Sequence, residues 1–148
     1  MSKAALIVGA GDATGGAIAK AFAREGYVAC VNRRARNSDQ LEALVQSIHA
    51  EGYEARAYPA DARIEDEVVA MVDAIERDVG PIEVAVFNIG ANVNFSILDM
   101  TAQVYRKVWE MAAFAGFLMG REAARRMVTR QSGTIIFTGA TASMRGGK

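Results

Sequence analysis

The chain has 148 residues, of which 51% are hydrophobic and 23% are charged, and its formal net charge is zero. These values are typical of a single globular domain with a substantial core, which we place at residues 1–148. The balanced charge gives no reason to expect nucleic acid or an anionic membrane as a partner, and no apolar run reaches membrane-spanning length. The single cysteine, Cys30, excludes a disulfide framework within the chain and fits a cytoplasmic location.

A glycine-rich turn near the start is the most informative stretch. The apolar run at residues 4–8 predicts a buried strand, and helix-forming residues follow the turn. The backbone N–H groups and dipole of a helix N-terminus favour a phosphate, and glycine lets the phosphate approach the backbone. We interpret the turn as a phosphate- or dinucleotide-binding site, with an ordinary strand–helix connection as the alternative. The turn residues placed against the ligand are Gly9, Gly11, Asp12, Thr14 and Gly15.

Beyond the turn, short apolar runs alternate with segments of helical periodicity. Right-handed crossovers between such units require a parallel sheet with helices on both faces. The predicted fold class is therefore α/β, a doubly wound parallel sheet with strand order 3-2-1-4-5. Asn37 or Ser38 should cap the second helix, and Thr101 the last. Further strands are predicted at residues 27–31, 53–58, 82–87 and 134–138, and helices near 17–25, 38–51, 64–79 and 101–130.

Arginines follow the second strand, where the adenosine ribose of a dinucleotide would lie. An acidic residue at this position would accept a hydrogen bond from a free 2′-hydroxyl, as in NAD sites. This chain instead has Asn32, Arg33 and Arg34. A guanidinium can pair bidentately with a 2′-phosphate, so the pattern favours NADP over NAD. The alternative is a solvated loop of arginines.

Polar residues also follow the third and fourth strands. Asp61, beside Ala62, could accept a hydrogen bond from an adenine amino group, but the bare sequence favours a helix cap. Asn88, with Gly90 close behind, could hold the backbone geometry, contact the ribose or belong to a plain turn.

His49 is the only histidine, so a histidine-rich metal site is excluded, and we predict no metal site.

The last predicted helix carries several arginines in its C-terminal part. The simplest interpretation is a solvated basic face, in which the later arginines favour the helix dipole. These residues are Arg121, Arg125, Arg126 and Arg130.

Together, these motifs resemble the short-chain dehydrogenase/reductase family, over residues 6–147. That family opens with Thr-Gly-x-x-x-Gly-x-Gly. Residues 8–15 match the first and last glycines of this motif. Val8 replaces its threonine, and Ala13 replaces its middle glycine. The stretch after the fourth strand looks like the family's Asn-Ala-Gly. The resemblance implies a Rossmann-like fold, an NAD(P) cofactor, and hydride transfer to or from a carbonyl or hydroxyl group. It also raises adenine contact above the helix cap as the interpretation of Asp61.

The catalytic part of the family pattern is not matched. In that family a tyrosine transfers a proton, a lysine lowers its pKa and holds the ribose, a serine orients the substrate and an asparagine supports a water relay. Here Ala113 stands at the asparagine position and Ala140 at the serine position, and Ser143 could substitute only if the loop were shifted. The Tyr-x-x-x-Lys motif would lie beyond Lys148. We therefore assign no catalytic residue and predict little or no turnover by the family mechanism.

The family's later strands and helices have no counterpart in the sequence, so the sheet should be incomplete on its C-terminal side. The sequence could be a fragment of a longer reductase, a truncated product stable only as an oligomer, or a nucleotide-binding domain without redox activity. Residues 146–148 look like an interrupted loop, which favours the first two explanations.

Apolar surface should be exposed on the long helix and the fifth strand, and we expect a homo-oligomer. The expected partners are the dinucleotide and, in a longer form, a small-molecule substrate. The alternative function is a non-catalytic NADP(H)-binding or regulatory protein.

Overall fold

The computed structural model describes residues 2–90 and 93–145, and a parallel sheet of five strands forms its centre. The strand order is β3-β2-β1-β4-β5, as predicted. Because the order reverses beside β1, the carboxyl ends of β1 and β4 border the crevice where this architecture binds ligands. The strands are β1 (Ala4–Val8), β2 (Val28–Asn32), β3 (Ala55–Ala57), β4 (Ile82–Phe87) and β5 (Thr134–Phe137).

The helices fall close to their predicted positions. They are α1 (Thr14–Arg24), α2 (Ser38–Ala50), α3 (Glu65–Asp78), α4 (Ala102–Trp109) and α5 (Ala115–Arg130). The first begins at Thr14, three residues earlier than predicted, because the glycine turn leads directly into the helix. The strand β3 is shorter than predicted, since only residues 55–57 pair with β2.

Two apolar layers cover the two faces of the sheet. Leu6 and Val8 of β1 pack in the layer that contains α3 and α5, whereas Ile7 packs in the layer that contains α1 and α2. One face of α2 packs against the sheet, because Leu41 and Ile48 are fully buried. Full burial of each such side chain contributes about 1.5–3 kcal/mol to the free energy of folding. Burial on both faces of the sheet therefore stabilises this packing of helices against strands.

The predicted long helix is interrupted. A π-helical turn, Glu110–Phe114, separates α4 from α5. The predicted cap at Thr101 is confirmed, because its Oγ1 accepts a hydrogen bond from the Val104 N–H at 3.3 Å. The predicted cap position of α2 is confirmed at Asn37, which ends a 3₁₀ turn, but its side chain makes no cap hydrogen bond.

The predicted solvated basic face of α5 is wrong, because three of its four arginines are partly buried in ion pairs and only Arg125 is exposed. Glu122 is only 2% exposed and accepts a hydrogen bond from Arg126 Nη1 at 3.1 Å. Arg126 also pairs with Asp73 of α3, and Arg121 pairs with Glu65 of the same helix. Burial raises the pKa of Glu122, but the hydrogen bonds from Arg126 and Arg121 outweigh it and lower the pKa below its usual value. The pairs Arg126–Asp73 and Arg121–Glu65 join α5 to α3.

Arg130 makes a second link from α5, to α3 and the sheet. Its Nη1 donates to Glu76 Oε2 at 2.8 Å, and its Nη2 donates to the Ile82 carbonyl at 2.9 Å. Glu76 Oε1 in turn accepts a hydrogen bond from the Ile82 N–H at 2.8 Å. The arginine therefore fixes the end of α5 against the start of β4.

The predicted apolar exposure on the C-terminal side of the sheet is confirmed. Phe137 of β5 is 56% exposed, and Tyr105, Trp109 and Phe117 are exposed on α4 and α5. The homo-oligomer that this surface suggested stays a prediction. Among the described residues, no helix combines the length and apolar character needed to cross a bilayer.

Candidate functional site

The glycine turn packs too closely against its neighbours to accept side chains at two positions. A Cβ atom on Gly9, whose φ is +84°, would lie 2.7 Å from the Asn88 carbonyl oxygen. A Cβ atom on Gly15 would lie only 2.2 Å from the Gly9 carbonyl oxygen. The N–H groups of Gly9 and Ala10 both donate to the Asn32 carbonyl, at 3.1 and 3.0 Å. The turn is thus held in one shape by β2, the loop after β4 and α1.

The N-terminus of α1 has free space beside it. A Cβ atom on Gly11 would meet no heavy atom within 4 Å. Ala13 occupies the cap position and no side chain caps the helix, while Asp12 and Thr14 are exposed. A helix N-terminus without a side-chain cap, next to a glycine in open space, suits an anionic group such as a phosphate.

Asn88 ties the turn to the rest of the sheet edge. Its Nδ2 donates to the Gly9 carbonyl at 3.2 Å, and its Oδ1 accepts a hydrogen bond from Thr138 Oγ1 at 3.0 Å. Its own N–H donates to the Val8 carbonyl at 2.8 Å. Of the three interpretations, the side chain therefore holds the backbone geometry, and it is not part of a plain turn. Ribose contact by Asn88 and by the exposed Gly90 stays a prediction.

A cleft opens at the carboxyl edge of the sheet, next to the glycine turn. Of the predicted site residues, Gly9, Arg33, Arg34, Asp61 and Ala62 line it. The other predicted residues lie on the adjoining turns or in the first turn of α1 without lining the cleft, and they are Gly11, Asp12, Thr14, Gly15, Asn88 and Gly90. The sequence analysis missed several residues that line it, namely Asn37, Ala60, Arg63, Ile89 and Met111.

Asp61 is held by an arginine and does not cap α3. Arg63 donates to it from Nε at 2.9 Å and from Nη2 at 2.6 Å, and the Arg63 N–H donates at 3.0 Å. Ile64 occupies the cap position of α3, so the helix-cap interpretation is wrong. The side-chain hydrogen bonds from Arg63 lower the pKa of Asp61. Adenine contact by Asp61 stays a prediction.

The residues at and directly after the end of β2 differ in how available their side chains are to a ligand. Asn32 is 1% exposed, and its Nδ2 donates to the Tyr58 carbonyl at 2.8 Å, so its amide group secures the loop after β3. Arg33 Nη1 donates to Asp12 Oδ1 at 3.1 Å. Within residues 2–90 and 93–145, Arg34 has no ion pair with a carboxylate. The cleft is therefore a basic site in which one arginine is paired and the next is not.

Comparison with known proteins agrees with this geometry. A family model described as short chain dehydrogenase matches residues 3–148, nearly the whole chain. The chain belongs to the short-chain dehydrogenase family. A 2,3-dihydro-2,3-dihydroxybenzoate dehydrogenase of Bacillus subtilis (strain 168) is 31% identical over 142 residues, which are 95% of this chain and 53% of the relative. The chain spans about half the length of the curated relatives it matches.

Solved structures of short-chain dehydrogenases have the same arrangement of elements. A short-chain dehydrogenase from Rhodopseudomonas palustris is 51% identical with a TM-score of 0.90, and the match covers 99% of this chain and 68% of that one. An actinorhodin polyketide ketoreductase variant, solved with NADPH, is 25% identical with a TM-score of 0.92, and the match covers 99% of this chain and 56% of that one.

The two residues that the sequence analysis matched to the family's catalytic asparagine and serine are alanines, and that match stays a prediction. Ala113 is exposed on the π-helical turn, and Ala140 precedes the 3₁₀ turn Thr141–Ser143. Ser143 Oγ donates to the Ala140 carbonyl at 2.7 Å, so that hydroxyl is used within its own turn. Lys148 lies outside the described residues. In the part of the chain that is described, no three histidine, cysteine or acidic side chains cluster as metal ligands would.

Proposed function

We propose that this chain is the dinucleotide-binding part of an oxidoreductase of the short-chain type, in one domain over residues 1–148. The whole protein would transfer hydride to or from a carbonyl or hydroxyl group of a small molecule. The observation that carries the proposal is the glycine turn, whose close packing at Gly9 and Gly15 leaves open space at Gly11 beside the uncapped α1. This arrangement fits a pyrophosphate, because glycine leaves the backbone N–H groups accessible.

The other predicted site residues would contact the adenine and nicotinamide ends of the cofactor. Asp61 and Ala62 line the cleft where the adenine would lie, and the charged Asp61 supplies acceptor oxygens. Asn88 and Gly90 follow β4, beside the nicotinamide end. The nicotinamide supplies the hydride chemistry when the cofactor is bound, and the residues named here bind and orient it.

We propose NADP as the preferred cofactor, with NAD as the weaker ligand. Arg33 and Arg34 line the cleft directly after β2, and the next acidic residue, Asp39, lies in the first turn of α2. We expect Arg33→Ala to weaken NADPH binding about tenfold and NADH binding less than twofold, because only NADPH has a 2′-phosphate to pair with the guanidinium. The affinities are measured by titration of the reduced cofactors. An unchanged ratio of the two affinities would contradict the assignment of Arg33.

The chain alone should have little or no turnover by the mechanism of its family. Methyl groups at Ala113 and Ala140 can neither transfer a proton nor donate a hydrogen bond. We expect no measurable change in NADPH absorbance with a panel of carbonyl compounds, although the cofactor binds. Robust turnover that is abolished by a substitution in the cleft would contradict this prediction.

The same methyl groups favour a second candidate, a non-catalytic NADP(H)-binding or regulatory protein. Cofactor binding is common to both candidates, so turnover separates them. Because the relatives are about twice as long, the decisive sample is the protein encoded by the full reading frame. A Tyr-x-x-x-Lys pattern after residue 148 and turnover of a carbonyl substrate would favour the oxidoreductase, and binding without turnover would favour the second candidate.

A further inference from the structure

Arg33, the first residue after β2, makes an ion pair with a residue of the glycine turn. Arg33 Nη1 donates to Asp12 Oδ1 at 3.1 Å, across 21 positions in the chain. The Arg33 side chain is 20% exposed, whereas that of Asp12 is 78% exposed. Asp12 belongs to the glycine turn, so this contact links the proposed pyrophosphate site to the proposed ribose site.

The other charged groups of the cleft do not change this arrangement. Asp61 is held by Arg63 through two side-chain hydrogen bonds. Arg34 lines the cleft and, within the described residues, makes no ion pair with a carboxylate. Asp12 is therefore the carboxylate that an anion approaching Arg33 would meet.

A 2′-phosphate and a 2′-hydroxyl would experience this contact differently. The phosphate monoester of NADP carries about 1.5–2 negative charges at neutral pH. To pair with Arg33 it must displace the Asp12 carboxylate or share the guanidinium with it, at a distance where like charges repel. The neutral hydroxyl of NAD meets no such repulsion. The contact thus disfavours the phosphorylated cofactor alone.

We propose that Asp12 is a specificity-determining residue, which competes with the 2′-phosphate for Arg33 and so reduces the preference for NADP over NAD. This inference rests on the proposed function, since it concerns the same site. Asp12→Asn is the informative variant, because asparagine keeps the size of the side chain and an oxygen that Arg33 can still contact, but removes the charge.

The test is a titration of NADPH and NADH into the wild-type chain, Asp12→Asn, Arg33→Ala and the double variant. We expect Asp12→Asn to bind NADPH about five- to tenfold more tightly and to change NADH affinity less than about twofold. The gain should shrink as salt is added, because the pair is exposed. It should also be mostly lost in the Arg33→Ala background, since Asp12 acts through Arg33.

Glu25→Gln is the matched control. It removes one negative charge from an exposed residue at the opposite end of α1 from the glycine turn. Unchanged NADPH affinity in Asp12→Asn would overturn the inference, as would an equal gain in Glu25→Gln or a full gain without Arg33. If wild type and variants bind neither cofactor, the proposed function fails as well, whereas wild-type binding with an unaffected Asp12→Asn overturns this inference alone.

Discussion

Gly15→Ala is expected to lower the free energy of unfolding by about 2–4 kcal/mol, because overpacking a rigid backbone contact forces the surroundings to move. The added methyl carbon would lie 2.2 Å from the Gly9 carbonyl oxygen and 2.8 Å from the Ala10 Cα. Both are backbone atoms, so no side-chain rotation can relieve the clash. Chemical denaturation of the two proteins measures the difference.

Gly11→Ala is the matched control in the same turn. A methyl carbon there would meet no heavy atom within 4 Å, so we expect the free energy of unfolding to change by less than about 0.5 kcal/mol. If the pyrophosphate occupies this space, the same variant should bind NADPH about tenfold more weakly, because the methyl group blocks approach to the backbone. A Gly15→Ala protein as stable as wild type would contradict the packing of the turn.

Glu122→Ala is expected to lower the free energy of unfolding by about 3 kcal/mol, as is typical when one partner of a buried ion pair is removed. The carboxylate accepts hydrogen bonds from Arg121 Nε at 3.0 Å, from Arg125 Nη1 at 3.1 Å and from Arg126 Nη1 at 3.1 Å. Without it, three cations remain close together with Glu65 and Asp73 as their counter-charges. Denaturation midpoints at neutral pH measure the loss.

The pH dependence of stability provides a further readout at the same residue. Because the folded pKa of Glu122 is lowered, its contribution is present above the pKa of the unfolded state and is lost as pH falls through the folded pKa. The difference between wild type and Glu122→Gln should therefore shrink in acid. Arg125→Ala is the control, since that side chain is 63% exposed and should cost less than about 1 kcal/mol. Equal losses in the alanine variants of Glu122 and Arg125 would contradict the buried role of Glu122.

The sheet could be predicted from the sequence because burial on both faces leaves a local pattern. The run at β1 is apolar throughout, and Gly26, Gly52 and Gly80 follow the first three helices at the points where the chain turns. Each of these glycines has a positive φ, which explains why glycine ends these segments. Strand order then follows from the handedness of the crossovers.

The contacts that charged residues make across the fold could not be predicted in the same way. Arg33 meets Asp12 across 21 positions, and Arg126 meets Asp73 across 53. Such pairs depend on how the helices and turns are placed, and no local spacing encodes them. The Arg63–Asp61 contact is local, and the spacing of two residues between opposite charges is a signal for it in the sequence.

The interruption of the long helix also left no sequence signal. Pro and Gly are the usual marks of a helix break, and the π-helical turn Glu110–Phe114 contains neither. The apolar spacing of the two flanking helices is continuous enough to be read as one. The turn places Ala113 on an exposed surface and brings Met111 to the cleft.

The central claim is that the glycine turn and its cleft hold a dinucleotide that carries a 2′-phosphate. Titration of NADPH into the purified chain, followed by the fluorescence of the reduced nicotinamide, tests it most directly. We predict saturable binding that is tighter than that of NADH and that is weakened by Gly11→Ala. No change in fluorescence up to millimolar NADPH, in a chain shown to be folded, would contradict it.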